Sequence, residues 1–185
     1  MAVLAEAGMT PDDHLLDIGC GALRLGHLAV PYLRPGHYWG TDASLALMHH
    51  GRNVELADPT RLPPEQLVED AAFAFPGIPD RITLAIAWGV FTHLPITALE
   101  TALHSAARKL PRLRALLFTV FLAPDSAASA PHRQADGVVT HPDRAPRHFR
   151  LEDVLHLAGK AGMTAELRPD RLPRGQVLFH AGRVG

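Results

Sequence analysis

Two carboxylates stand at the ends of two apolar runs: Asp17 in Leu15-Leu16-Asp17-Ile18-Gly19-Cys20-Gly21, and Asp42 in His37-Tyr38-Trp39-Gly40-Thr41-Asp42. Gly19 and Gly21 let the backbone turn tightly and let a ligand approach with no Cβ in the way. An acid beside such a turn repels a pyrophosphate and attracts a cation. The dinucleotide pattern G-x-G-x-x-G begun at Gly19 would need a glycine where Arg24 stands, so it is broken. Asp42 can accept hydrogen bonds from both hydroxyls of a ribose. The pair therefore suits a ligand that is a nucleoside at one end and cationic at the other.

S-adenosylmethionine has that form, with an α-ammonium and a sulfonium for Asp17 and a ribose for Asp42. In four blocks the chain resembles the class I S-adenosylmethionine-dependent methyltransferases. They are Leu16-Asp17-Ile18-Gly19-Cys20-Gly21, Gly40-Thr41-Asp42-Ala43-Ser44, Leu67-Val68-Glu69-Asp70-Ala71-Ala72-Phe73, and the stretch from Ala85 through Trp88, Phe91, Thr92 and His93 to Pro95. The resemblance implies that Asp17, Gly19, Cys20 and Gly21 hold the amino-acid part of the cofactor, and Asp42 and Ala43 the ribose. It assigns Asp70 and Ala71 to the adenine amino group, and Trp88 to the wall of the pocket. Many members have a third glycine where Leu23 stands, and Leu23 is expected to pack beneath the turn. Members also carry helices before the first strand, where this chain offers only residues 2–8, so an open cofactor site is expected.

Each assignment has a plainer alternative. Asp17 and Asp42 are also suited to capping the helices that follow them. Asp70 competes with Glu69 or is a solvated loop acid, and Trp88 serves equally as a core residue. Cys20 is read as the small residue the turn requires rather than as a nucleophile. His93 is the candidate catalytic group, able to take a proton near neutral pH, or else a residue that packs at the next helix. His132, His141 and His148 have no metal-ligand spacing and are read as solvated, so no metal is expected.

Methyl transfer asks for alignment and dryness more than for an obligatory side chain. No Asn-Pro-Pro-Tyr or Asp-Pro-Pro-Tyr segment follows the fourth block, and the acceptor is read as the O or N of a small molecule. A non-catalytic module that binds S-adenosylmethionine or S-adenosylhomocysteine is the alternative. An NAD-dependent oxidoreductase is disfavoured by Asp17 and Arg24.

These residues must be held by alternating elements. Strand-like runs at 14–18, 37–41, 66–68, 82–87 and 113–122 alternate with helical patterns at 22–33, 44–55 and 96–110. A helix at 149–161 and strands at 163–167 and 176–181 follow. The reading is an α/β, Rossmann-like, mostly parallel sheet with an antiparallel C-terminal edge pair and helices on both faces, one domain over 1–185. Residues 124–147, rich in Pro, Ala, Asp and His without a period, are read as a long loop or lid.

Composition closes several other possibilities. A net charge of −1 argues against a nucleic-acid partner. No apolar run approaches the roughly 20 residues of a membrane span. Residues 1–9 lack the basic start and apolar core of a signal peptide. A single cysteine in 185 residues allows no internal disulfide, and a cytoplasmic location and a possible homo-oligomer are expected.

Overall fold

The computed structural model describes residues 1–169 and 172–183. Its elements in chain order are α1 (Ala2–Glu6), β1 (Leu15–Ile18), α2 (Gly26–Tyr32), β2 (Tyr38–Asp42), α3 (Leu45–Glu55), β3 (Leu67–Glu69), β4 (Leu84–Ala87), α4 (Ile96–Lys109) and β5 (Ala115–Leu122). They continue with β6 (His132–Arg133), β7 (Val139–Thr140), β8 (His148–Phe149), α5 (Leu151–Lys160), β9 (Met163–Leu167) and β10 (Val177–Arg183). The main sheet runs β3-β2-β1-β4-β5-β10-β9, with β8 beside the end of β5. Strands β1 to β5 pair in parallel, and β10 is antiparallel to both β5 and β9. The order reverses between β1 and β4, which opens a crevice at the carboxyl ends of those two strands.

Alternation along each strand divides the core between two faces. Leu16 and Ile18 of β1, Ala85 and Ala87 of β4, and Leu116 and Phe118 of β5 meet α4 and α5 through Leu99, Leu103, Val154 and Leu157. Leu15, Leu84, Ile86 and Leu117 meet α1, α2 and α3 through Leu4, Ala29, Val30 and Met48. Strands buried on both faces call for apolar residues at nearly every position, as these have, with Thr119 in β5 accepting the Gly89 N–H. Asp17 is the exception in β1, and it faces the side of Leu15.

Short-range rules account for the helices. In α4 the buried Leu99, Ala102, Leu103 and Ala106 follow the three-and-four spacing of one apolar stripe, and Arg108 and Lys109 lie in its last turn, where the helix dipole favours cations. Ser44 caps α3 by accepting the Leu47 N–H at 3.2 Å. Gly51 lets α3 lie directly on the glycine turn, since a Cβ there would come within 2.4 Å of the Ala22 carbonyl.

Three expectations are corrected. The helix read at 22–33 begins only at Gly26, because the turn continues through Leu23, whose φ of 62° and bond from its N–H to the Cys20 carbonyl (2.9 Å) close a further loop. Leu23 is fully buried beneath that turn, where the resembled family often has a glycine. Residues 124–147 are not a structureless loop. They form the β6–β7 hairpin, held by Gln134, whose Nε2 donates to the Leu122 carbonyl and to the Thr140 hydroxyl, each at 3.0 Å. The Arg147 N–H donates to the Thr92 carbonyl at 2.7 Å, which ties the end of this excursion to the segment after β4. His148 is buried rather than solvated, its Nδ1 at 2.9 Å from the Thr140 hydroxyl, and burial lowers its pKa from 6.5.

Candidate active site

The carboxyl ends of β1 and β2 are sewn together by backbone. Gly19 N–H (2.7 Å) and Cys20 N–H (3.0 Å) both donate to the Thr41 carbonyl. Gly19 has φ 68°, and a Cβ on it would strike Val90 at 2.5 Å, so neither backbone nor space admits another residue. Gly21 has φ 53°, and a Cβ on it would meet no protein atom within 4 Å. The space above Gly21 is open.

Asp42 joins the two turns. One oxygen accepts the Gly21 N–H and the other the Ser44 N–H, each at 3.0 Å. A carboxylate offers about four acceptor positions, so half of them are left for a ligand. The backbone carbonyl of Asp42 accepts the Asp70 N–H at 2.8 Å, which fixes the end of β3 beside it. Asp70 spends its own carboxylate on its loop, accepting the Ala72 and Ala74 N–H groups on one oxygen and the Phe75 N–H on the other.

Asp17 is 3% exposed and accepts the Tyr38 hydroxyl at 2.7 Å. Burial pushes its carboxyl up to about 7; the Tyr38 bond works against that rise and the nearby Asp42 charge adds to it. Near neutral pH this acid is poised between its two forms, and an arriving cation would draw it into the charged one. Burial also pushes the Cys20 thiol up, helped by Asp17 and Asp42, so Cys20 is no nucleophile.

Two cavities open on this rim. The smaller, about 360 Å³, is lined by Ile18, Asp42, Ala43, Asp70, Ala71 and Phe73, with His93 and Leu94 at its side. The larger, about 660 Å³, is lined by Asp17, Cys20, Gly21, Arg24, Leu25 and Leu28 together with Met1, Val3, Leu172 and Pro173. Gly19 and Trp88 line both. The residues assigned to the cofactor, together with His93, thus line one pair of cavities. Trp88 is no core residue: it is 41% exposed and stands between the two spaces. His93 is exposed and belongs to the smaller cavity, not the larger. Tyr38, Phe73, Val90 and Leu172 were not anticipated. Tyr38 could have been, since β2 pairs with β1 so that Asp17 faces Gly40, and Tyr38 lies two residues before Gly40 on the same side.

No protein-family model matches the chain, and no curated protein matches its sequence. Solved structures do match its fold. YcgJ from Bacillus subtilis shares 13% identity with a TM-score of 0.69, covering 100% of this chain and 97% of its own. The glycopeptide N-methyltransferase MtfA, complexed with sinefungin, shares 15% identity with a TM-score of 0.69, over 100% of this chain and 85% of its own. Magnesium protoporphyrin IX methyltransferase from Synechocystis PCC 6803, with bound S-adenosylhomocysteine, shares 14% identity with a TM-score of 0.64, over 99% of this chain and 80% of its own. The chain has the class I S-adenosylmethionine-dependent methyltransferase fold. In this methyltransferase fold the antiparallel β10 fills the edge between β5 and β9, as the sequence resemblance implied. Among the described residues no helix is long and apolar enough to cross a membrane.

Proposed function

We propose that the chain is an S-adenosylmethionine-dependent methyltransferase acting on an oxygen or nitrogen of a small molecule. One observation carries this reading: two cavities joined at Gly19 and Trp88, one with the half-satisfied Asp42 carboxylate, the other with the buried Asp17 carboxyl. The residues fit the cofactor. Asp42 has acceptor positions left for the ribose hydroxyls, and Ala71 and Phe73 border a space for the base. Asp17 lies in the floor of the larger cavity and would take the ammonium group, and Gly21 leaves that space clear. Three of the acceptor positions of Asp70 are already used, so its part is to hold the 70–75 loop against the base.

When bound, the cofactor supplies a methyl group already activated by its sulfonium. The chain's own residues have to align and dry the reacting groups. Trp88 divides the base from the acceptor side, and the apolar side chains of the larger cavity exclude water from the transfer path. Removal of a proton by His93 belongs to this proposal for an acceptor whose reacting group reaches the smaller cavity that His93 lines, and the turnover of a His93→Gln variant tests it. Release of S-adenosylhomocysteine over a panel of phenol, carboxylate and amine acceptors tests transfer itself. Cofactor binding with no turnover across the panel would favour the non-catalytic module.

A further inference from the structure

We infer that the acceptor is an apolar molecule carrying one anionic group, read by Arg24. This rests on the methyltransferase reading above. The larger cavity is about 660 Å³, within the roughly 300–1,000 Å³ range typical of small-molecule sites, and the amino-acid end of the cofactor would take only part of it. Its wall is mainly aliphatic and aromatic. Leu28 is 46% and Trp88 41% exposed on that wall, and large side chains left open around a cavity mark a surface that binds something apolar.

Among the described residues the charged side chains on the wall are Asp17 and Arg24. Asp17 is engaged by Tyr38 at the floor. Arg24 is exposed, and among the described residues no acidic side chain or carbonyl pairs with it. A planar cation with five free donors beside an apolar wall recognises a carboxylate or sulfonate attached to a hydrophobic body. A cationic acceptor would be repelled, and the cofactor's own carboxylate is the competing anion that the test separates.

The test uses two fluorescent naphthalenes of similar shape, the anionic 8-anilinonaphthalene-1-sulfonate and the neutral N-phenyl-1-naphthylamine. Each is titrated into wild type, Arg24→Leu and Leu28→Glu, with and without saturating S-adenosylhomocysteine. The expected result is that Arg24→Leu weakens the sulfonate at least about tenfold while the neutral probe and S-adenosylhomocysteine affinity change less than about twofold. Leu28→Glu, which sets a like charge on the same wall, weakens the sulfonate as well. Equal change or no change for the two probes in Arg24→Leu overturns the inference. So does loss of S-adenosylhomocysteine affinity in Arg24→Leu, since Arg24 would then hold the cofactor's carboxylate. Failure of the methyltransferase reading shows separately, as absence of S-adenosylhomocysteine binding by wild type.

Discussion

The glycine turn with its two acids and the excursion at 124–147 are both built on strand ends of one sheet, yet they are held in opposite ways. At the turn the holding bonds are short in sequence or join adjacent strands: Gly19 and Cys20 to Thr41, Gly21 to Asp42, Ser44 to Asp42. In the excursion they are isolated polar contacts, Gln134 to Leu122, Thr140 to His148 and Arg147 to Thr92, none of which has a period or motif. The first kind of region is set by backbone geometry, with no room for a Cβ at Gly19. The second leans on a few side chains, Gln134, Thr140 and His148, and on the backbone bond from Arg147 to Thr92.

That difference predicts where substitutions hurt. The largest effect is expected for Gly51→Ala, whose Cβ would meet the Ala22 backbone at 2.4 Å. Separating α3 from the turn should cost about 3 kcal/mol in denaturant unfolding and weaken cofactor binding as well. Thr140→Val leaves His148 Nδ1 and Gln134 without their shared hydroxyl partner. It should lower stability by about 2 kcal/mol with cofactor affinity unchanged, because the damage stays in the excursion. A Thr140→Val protein that loses cofactor binding would erase the distinction between the regions.

Acidity separates them further. Burial lowers the pKa of His148 from 6.5, so the unfolded chain binds the proton more readily and the fold loses stability as pH falls below about 6.5. Burial raises Asp17 from 3.8 to about 7, so its penalty on folding grows as pH rises from about 4 to about 7 and is constant above. A cationic ligand favours the charged form of Asp17. Affinity for S-adenosylmethionine should therefore rise about tenfold between pH 6 and pH 8, and the rise should vanish in Asp17→Asn. A flat profile in wild type would remove Asp17 from the ammonium site. The smallest effect is expected for His93→Gln, whose exposed position at the smaller cavity should change cofactor affinity, read by calorimetry, less than about threefold.

The same contrast explains what was legible in the sequence. Strand ends, glycines and caps are local signals, so β1 to β5, the Ser44 cap and the convergence of Asp17, Asp42 and Trp88 followed from spacing. The end of the turn was missed because Leu23 adopts a left-handed conformation that its residue type does not announce. The β6–β7 hairpin was missed because each strand has only two residues and its stability comes from distant partners. Leu172, Pro173 and Met1 reach the larger cavity through tertiary packing, which no local pattern encodes. Arg24 was noticed only as a missing glycine, and its place on the cavity wall required the fold.

Calorimetry with S-adenosylhomocysteine and with NAD, on wild type and Asp42→Ala, tests the central claim most directly. Wild type should bind S-adenosylhomocysteine and not NAD, and Asp42→Ala should bind it about 1.5–3 kcal/mol more weakly with its circular dichroism intact, the scale of lost hydrogen bonds to a charged group. Equal S-adenosylhomocysteine affinity in the two proteins would reduce Asp42 to a brace between turns and would contradict the account.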